Sequence, residues 1–145
     1  MFDQLNIYKY HDHFFFNGDE KLKEVCNAPS DKSGVYLVYS LKKGKIELVY
    51  IGRSGKMNDD QSIFVRKTGL GGIKDRIVNG YQFAKIPRHV SWPVQMKYDK
   101  IEALDVYWYV THDDENNDCP SKIEKKLLKV FLDVYGVLPK WNKKM

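Results

Sequence analysis

The chain has 145 residues, 43% of them apolar and 30% charged, which is a globular composition of one-domain size and excludes a disordered or fibrous protein. No apolar run is long enough to cross a bilayer as a helix, so a membrane-spanning role is not expected. The formal net charge of +5 favours an anionic partner, of which nucleic acid is the commonest. The opening Met1-Phe2-Asp3-Gln4 lacks the basic-then-apolar layout of a signal peptide, and Cys26 and Cys119 form no CxxC or ligand cluster. The expectation is a cytoplasmic protein with two free thiols.

Residues 1–33 read as an N-terminal extension packed on or next to the core. They carry an aromatic cluster ending in Phe14-Phe15-Phe16, then Asn17-Gly18-Asp19, which can cap a short helix over 19–27. Residues 34–145 read as the main domain. Gly34 to Ser40 and Ile46 to Gly52 are β-branched and aromatic, as strands are. A three-residue loop, Lys42-Lys43-Gly44, would join them and set Leu41 opposite Lys45. Counting outward then puts Tyr36 opposite Tyr50, on one face of the sheet.

Residues 53–72 form a long polar, glycine-punctuated segment, of the kind that is usually functional. Ile73, Ile77, Tyr81 and Ala84 give one apolar stripe and predict a helix from Gly72 to Ala84. Pro87 and Pro93 interrupt the stretch that follows. Leu104 to Val110 alternates as a third strand. Pro120 and Ser121 open the longest helix, which ends near Gly136, and the tail runs extended through Trp141-Asn142. The order is hairpin, helix, strand, helix. That is a small α+β domain with a short, mostly antiparallel sheet and helices packed against it.

Phosphodiester hydrolysis needs an activated water, a clamp on the phosphate and stabilisation of the leaving oxygen. Tyr36 and Tyr50 can hold and deprotonate a water if nearby positive charge favours the phenolate, and Arg53 is placed to add such charge. As ordinary cross-strand aromatics they would merely support the sheet. Glu124 falls inside the apolar sector of the last helix with Ile123, Leu127, Leu128, Val130, Phe131, Val134 and Tyr135. A carboxylate there needs a partner. It is either a hard oxygen ligand for Mg²⁺ or the fourth residue of a capping box, Ser121-Lys122-Ile123-Glu124. Arg76 borders the apolar stripe of the first helix, next to Ile73 and Ile77. Lys42, Lys43, Lys45, Arg66 and Lys67 read as nucleic-acid contacts in loops near the paired tyrosines. The lysines of the last helix read as a solvated face.

Gly34-Val35-Tyr36 and Tyr50-Ile51-Gly52 resemble the two halves of the GIY-YIG nuclease signature, and with Arg76, Glu124 and Asn142 the resemblance spans about residues 33–142. The layout is similar to the restriction-endonuclease-like members. The resemblance implies a metal-dependent endonuclease that hydrolyses DNA with one Mg²⁺ or Mn²⁺ ion. In that scheme a tyrosine activates water, Arg76 clamps the phosphate by bidentate hydrogen bonds, with Arg53 and Arg66 as competitors for that role, and Glu124 ligates the metal. Gly34, Gly52 and Asn142 would be structural at the site. Restriction, repair and mobile-element roles all fit, and double-strand cutting would call for a homodimer. Where many family members carry a histidine one turn after the arginine, this chain has Gly80. That departure sustains an alternative, a catalytically silent nucleic-acid-binding domain that keeps the fold.

Overall fold

The structure is a computed structural model and describes residues 1–57, 63–64 and 72–144. Its centre is a four-stranded antiparallel sheet in the order β1-β6-β2-β3. The strands are β1 (His11–Phe16), β2 (Ser33–Lys42), β3 (Lys45–Ser54) and β6 (Ala103–His112). Two two-residue strands, β4 (Lys56–Met57) and β5 (Ile63–Phe64), pair with each other. The helices are α1 (Leu22–Val25), α2 (Gly72–Asn79), α3 (Arg88–Asp99) and α4 (Pro120–Tyr135), preceded by a 3-10 turn over Asp3–Ile7. This is an α+β fold with apolar residues on both faces of the sheet, each covered by helix. Phe14, Phe16, Tyr36, Val38, Val106 and Trp108 face α1, α2 and α3. Val35, Leu37, Leu48 and Ile51 face α4 and the 3-10 turn.

The sheet has one strand more than the sequence pattern indicates. Residues 1–33 supply it: β1 pairs with β6 from His11↔Tyr109 to Phe16↔Leu104. Phe14 and Phe16 point into the core, while His11, His13 and Phe15 point to the other face. The run of three phenylalanines hides this alternation from a reader looking for polar partners. The helix expected over 19–27 is confined to Leu22–Val25, its Leu22 buried.

The hairpin corrects the expected loop. Lys42 pairs with Lys45, so the turn is two residues, Lys43-Gly44. Both have positive φ, 51° and 75°, as a type I′ turn requires. A bulge between Val38 and Tyr39 then shifts the register, because Val38 pairs with Tyr50 and Tyr39 with Leu48. Tyr36 therefore lies opposite Gly52, not Tyr50. The two tyrosines still share a face, as diagonal neighbours.

α2 stops at Asn79 rather than Ala84. Phe83 and Ala84 have φ of 62° and 124°, which no helix accepts, and Tyr81 is exposed and bridges Pro87. The stretch marked by Pro87 and Pro93 is not interrupted but helical. Pro87 is the N-cap of α3, and Pro93 sits inside the helix. Trp92 and Met96 from α3 are buried in the core. α4 begins and ends as expected, with Gly136 in the left-handed conformation at its C-cap. Val134 and Tyr135, read as part of its apolar sector, are exposed.

Candidate active site

Strands β2 and β3 bring Tyr36 and Tyr50 together at the end of the hairpin remote from its turn. Their ring centroids are 6.1 Å apart with planes tilted by 41°. The Tyr36 ring lies flat across the backbone of its partner, and a Cβ on Gly52 would collide with it. Glycine at 52 is thus required by the close approach of that ring. Gly34 is held in the same way, since a Cβ there would meet the Tyr109 carbonyl of β6.

Tyr36 is fully buried, and its hydroxyl has no hydrogen-bond partner among the described residues. Burial pushes its phenol far above the ordinary tyrosine range; the Arg88 guanidinium opposes that, the Tyr50 ring adds to it, Arg76 opposes it and Glu124 adds to it. Tyr50 is half-buried, and its oxygen accepts a hydrogen bond of 3.2 Å from Arg88 Nη2.

Arg88 is the residue that sequence reasoning missed. It is the first residue of α3 and only 2% exposed. Its Nε donates to Gln82 Oε1 at 2.9 Å, and its Nη1 donates to the Arg76 carbonyl. The guanidinium carbon stands 5.6 Å from the Tyr36 ring centroid and 5.4 Å from that of Tyr50. A side chain at Gly80 would run into this guanidinium, so the glycine makes room for a cation. The cation also closes the C-terminus of α2, where positive charge is favoured. Gly80 was the available signal, but nothing in the local pattern names an arginine eight residues later as the occupant.

Glu124 comes from the other side of the sheet, on α4. The N-cap of α4 is Cys119 and Pro120 opens its first turn, with no side-chain capping bond. Ser121 therefore lies inside the helix, and the capping box does not form. The Glu124 side chain is 18% exposed and pairs with Arg53 Nε at 3.5 Å. Burial raises its carboxyl above the usual range, and Arg53 and Arg76 oppose that rise. Among the described residues no group of three or more His, Cys, Asp or Glu side chains could hold a metal. A Mg²⁺ ion at Glu124 would be held by one carboxylate, with waters and phosphate oxygens completing its shell, which is a usual arrangement for that ion.

Arg76 is exposed on α2 and lines a cleft of about 590 Å³ with Asn79, Gly80, Tyr81 and Pro87. Larger hollows of about 830 and 780 Å³ lie elsewhere and are lined by none of Tyr36, Tyr50, Arg76 or Glu124. Asn142 accepts a hydrogen bond from Ile51 N–H (2.9 Å) and donates one to Ile51 C=O (3.0 Å), closing the outer edge of β3 beside Tyr50.

Comparison with protein-family models, with curated proteins and with solved structures gave no match to this chain.

Of the expected site residues, Tyr36, Tyr50, Arg53, Arg76 and Glu124 are brought to one end of the sheet. Lys42, Lys43 and Lys45 are not, because they sit at the hairpin turn. The turn is the far end of the strands: Lys42 is six residues from Tyr36, about 20 Å along β2. Arg66 and Lys67 lie outside the described residues. Two of the histidines, His11 and His13, lie away from the site. His13 Nδ1 lies 2.8 Å from Asp105 Oδ1 and His11 stacks on Tyr109, both on the opposite face of the sheet from Tyr36. Cys26 and Cys119 are free thiols.

Proposed function

We propose that this chain is a metal-dependent endonuclease that hydrolyses phosphodiester bonds in DNA, built on a GIY-YIG-like fold. The observation that carries the reading is convergence. Two tyrosines from adjacent strands, an exposed arginine from α2, and a half-buried Arg53–Glu124 pair reach one end of the sheet from four different elements. A purely structural account leaves two features without a purpose: the Tyr36 hydroxyl, which has no partner among the described residues, and the partly desolvated carboxylate of Glu124.

The roles follow from position. Arg76, exposed beside the cleft, clamps a nonbridging phosphate oxygen through its two-pronged guanidinium. A tyrosine of the pair activates the attacking water; Tyr50 is the half-buried one, while the Tyr36 hydroxyl has no exposed surface. Glu124 offers one hard oxygen, and Arg53 beside it opposes the rise that burial imposes on that carboxyl. Glu124 would hold a Mg²⁺ or Mn²⁺ ion, which would supply charge to stabilise the leaving oxygen. Water adds across the P–O bond, so the products are a phosphate monoester and an alcohol. Cutting both strands with one such cluster per chain calls for two copies.

Supercoiled plasmid with and without Mg²⁺ or Mn²⁺ tests the reading. Metal-dependent nicking by the wild type, lost in Glu124→Gln and Arg76→Ala, is the expected result. Salt-sensitive DNA binding without any nicking would replace the enzyme by a silent binding domain.

A further inference from the structure

We propose that the hollow between α1, α2 and α3 is a nucleotide-binding site; that the nucleotide belongs to the DNA substrate rests on the nuclease reading above. The hollow holds about 780 Å³, which is within the range of small-molecule sites. α2 lines both this hollow and the cleft beside Arg76, and Asn79 belongs to both. A strand with one phosphate at Arg76 therefore has the hollow as its immediate neighbour. The floor is aliphatic, made by Leu22 and Val78, which are 2% and 4% exposed, together with Pro93. Such a floor suits the flat, apolar face of a base.

The rim is cationic. Lys21, Lys23 and Lys74 line the hollow, and none of the three has an ion-pair partner among the described residues. The two acids in the same wall are engaged. Glu20 accepts the Asn17 N–H at 3.1 Å, and the buried Asp75 accepts from Asn79 Nδ2 at 2.9 Å. Three lysines without acids around one opening suit an anionic group such as a phosphate. Asp75 has a second effect. By holding Nδ2 of the exposed Asn79 it leaves the amide oxygen as an oriented acceptor for a ligand that donates. A base has a flat apolar face, an N–H on its edge and a phosphate tethered to it, so a nucleotide uses floor, acceptor and rim together. A simple phosphate would leave the floor unused, and an apolar ligand would leave the lysines unused. A base in a duplex reaches such a hollow only by turning out of the stack. Its identity then becomes a determinant of where the chain cuts.

The test has two arms on the full chain, both without metal so that nothing is cut. In the first, backbone amide signals are followed by NMR as dAMP, dCMP, dGMP or dTMP is added, with the nucleosides and inorganic phosphate as controls. At least one nucleotide is expected to shift the amides of residues 20–23 and 74–79 along a saturable curve, and to bind more tightly than its nucleoside or phosphate. Lys21→Glu and Lys74→Glu are each expected to weaken that binding about tenfold. Pro93→Trp fills the hollow from α3 and is expected to abolish it; the lysine variants carry the test if that chain does not fold. Amides that no nucleotide moves overturn the site, and so do amides that phosphate alone moves at the same concentration. In the second arm a duplex carries 2-aminopurine at successive positions. Its fluorescence rises when it leaves the stack, and the aliphatic floor offers no ring to restack on. A several-fold rise at one position beside the cut, lost in Pro93→Trp, assigns the nucleotide to the substrate; free nucleotides that bind without any such rise assign the site to a free nucleotide instead. Plasmid cleavage with Mg²⁺ separates the two readings. A wild type that binds nucleotide but cuts nothing loses the nuclease reading and keeps the site, whereas one that cuts while no nucleotide enters the hollow keeps the reading and loses the site.

Discussion

Two side chains at the site are held at a cost to stability, and each can be tested by removing it. Burial raises the Glu124 carboxyl, so the folded chain binds that proton more tightly than the unfolded chain does. The stability linked to this group is fully present below the ordinary carboxyl range and is lost as pH rises through the raised value. Glu124→Gln is therefore expected to melt no lower than the wild type at neutral pH, with a difference that grows in its favour as pH rises from acid. It is also expected to lose plasmid nicking by about a hundredfold or more, because Gln keeps the shape but not the charge that a divalent ion requires. A variant that melts lower and still cuts would make Glu124 a structural partner of Arg53. Tyr36→Phe removes a buried hydroxyl without a partner among the described residues, so chemical denaturation is expected to find it neutral or more stable by up to about 1 kcal/mol. A loss of about 1 kcal/mol or more would mean that the hydroxyl is satisfied in solution.

At the scale of elements, the site depends on how closely β2 and β3 approach and on what closes the outer edge of β3. Gly52→Ala pushes a methyl group into the Tyr36 ring, and overpacking of this kind costs about 1–3 kcal/mol. Urea unfolding should find a loss in that range, together with reduced cleavage. Asn142→Leu removes both hydrogen bonds to Ile51 and leaves a partly buried N–H and C=O unpaired, which also costs about 1–3 kcal/mol. The hairpin, β6 and α4 were legible in the sequence because each carries a regular apolar period and clear end signals. The bulge opposite Val38 was not, since β-branched residues on both sides of it fit either register. α3 was hidden by Pro87 and Pro93, which read as breaks although one caps the helix and the other is carried within it. β1 was hidden by its three consecutive phenylalanines, and the edge position of β3 by the lack of any local sign of strand order. Tyr36, Tyr50 and Arg76 stood out by their resemblance to the GIY-YIG signature, and Glu124 also by its place in an apolar helix sector. Arg88 did not, because its place at the site comes from tertiary packing of α3 against the end of α2.

For the molecule as a whole, the +5 charge and the separation of its basic features make the clearest expectation. DNA binding should weaken with salt, with a slope of about 0.9 in log affinity against log salt for each phosphate contacted. A slope indistinguishable from zero in a titration would remove nucleic acid from the account. The hairpin turn gives this a geometric side. By strand alternation Lys42 and Lys45 project from the same face as Tyr36, yet stand about 20 Å from it along the strand. A duplex advances about 3.4 Å per base pair, so DNA laid along the hairpin would meet the lysines about four base pairs from Tyr50, which pairs with Val38 about 13 Å along β2 from Lys42. The footprint of the bound protein would then be lopsided, with protection reaching about four base pairs to one side of the cut and little to the other. Two copies cutting opposite strands would turn that lopsidedness into a ruler, the distance between their outer protected edges recording which way each hairpin points.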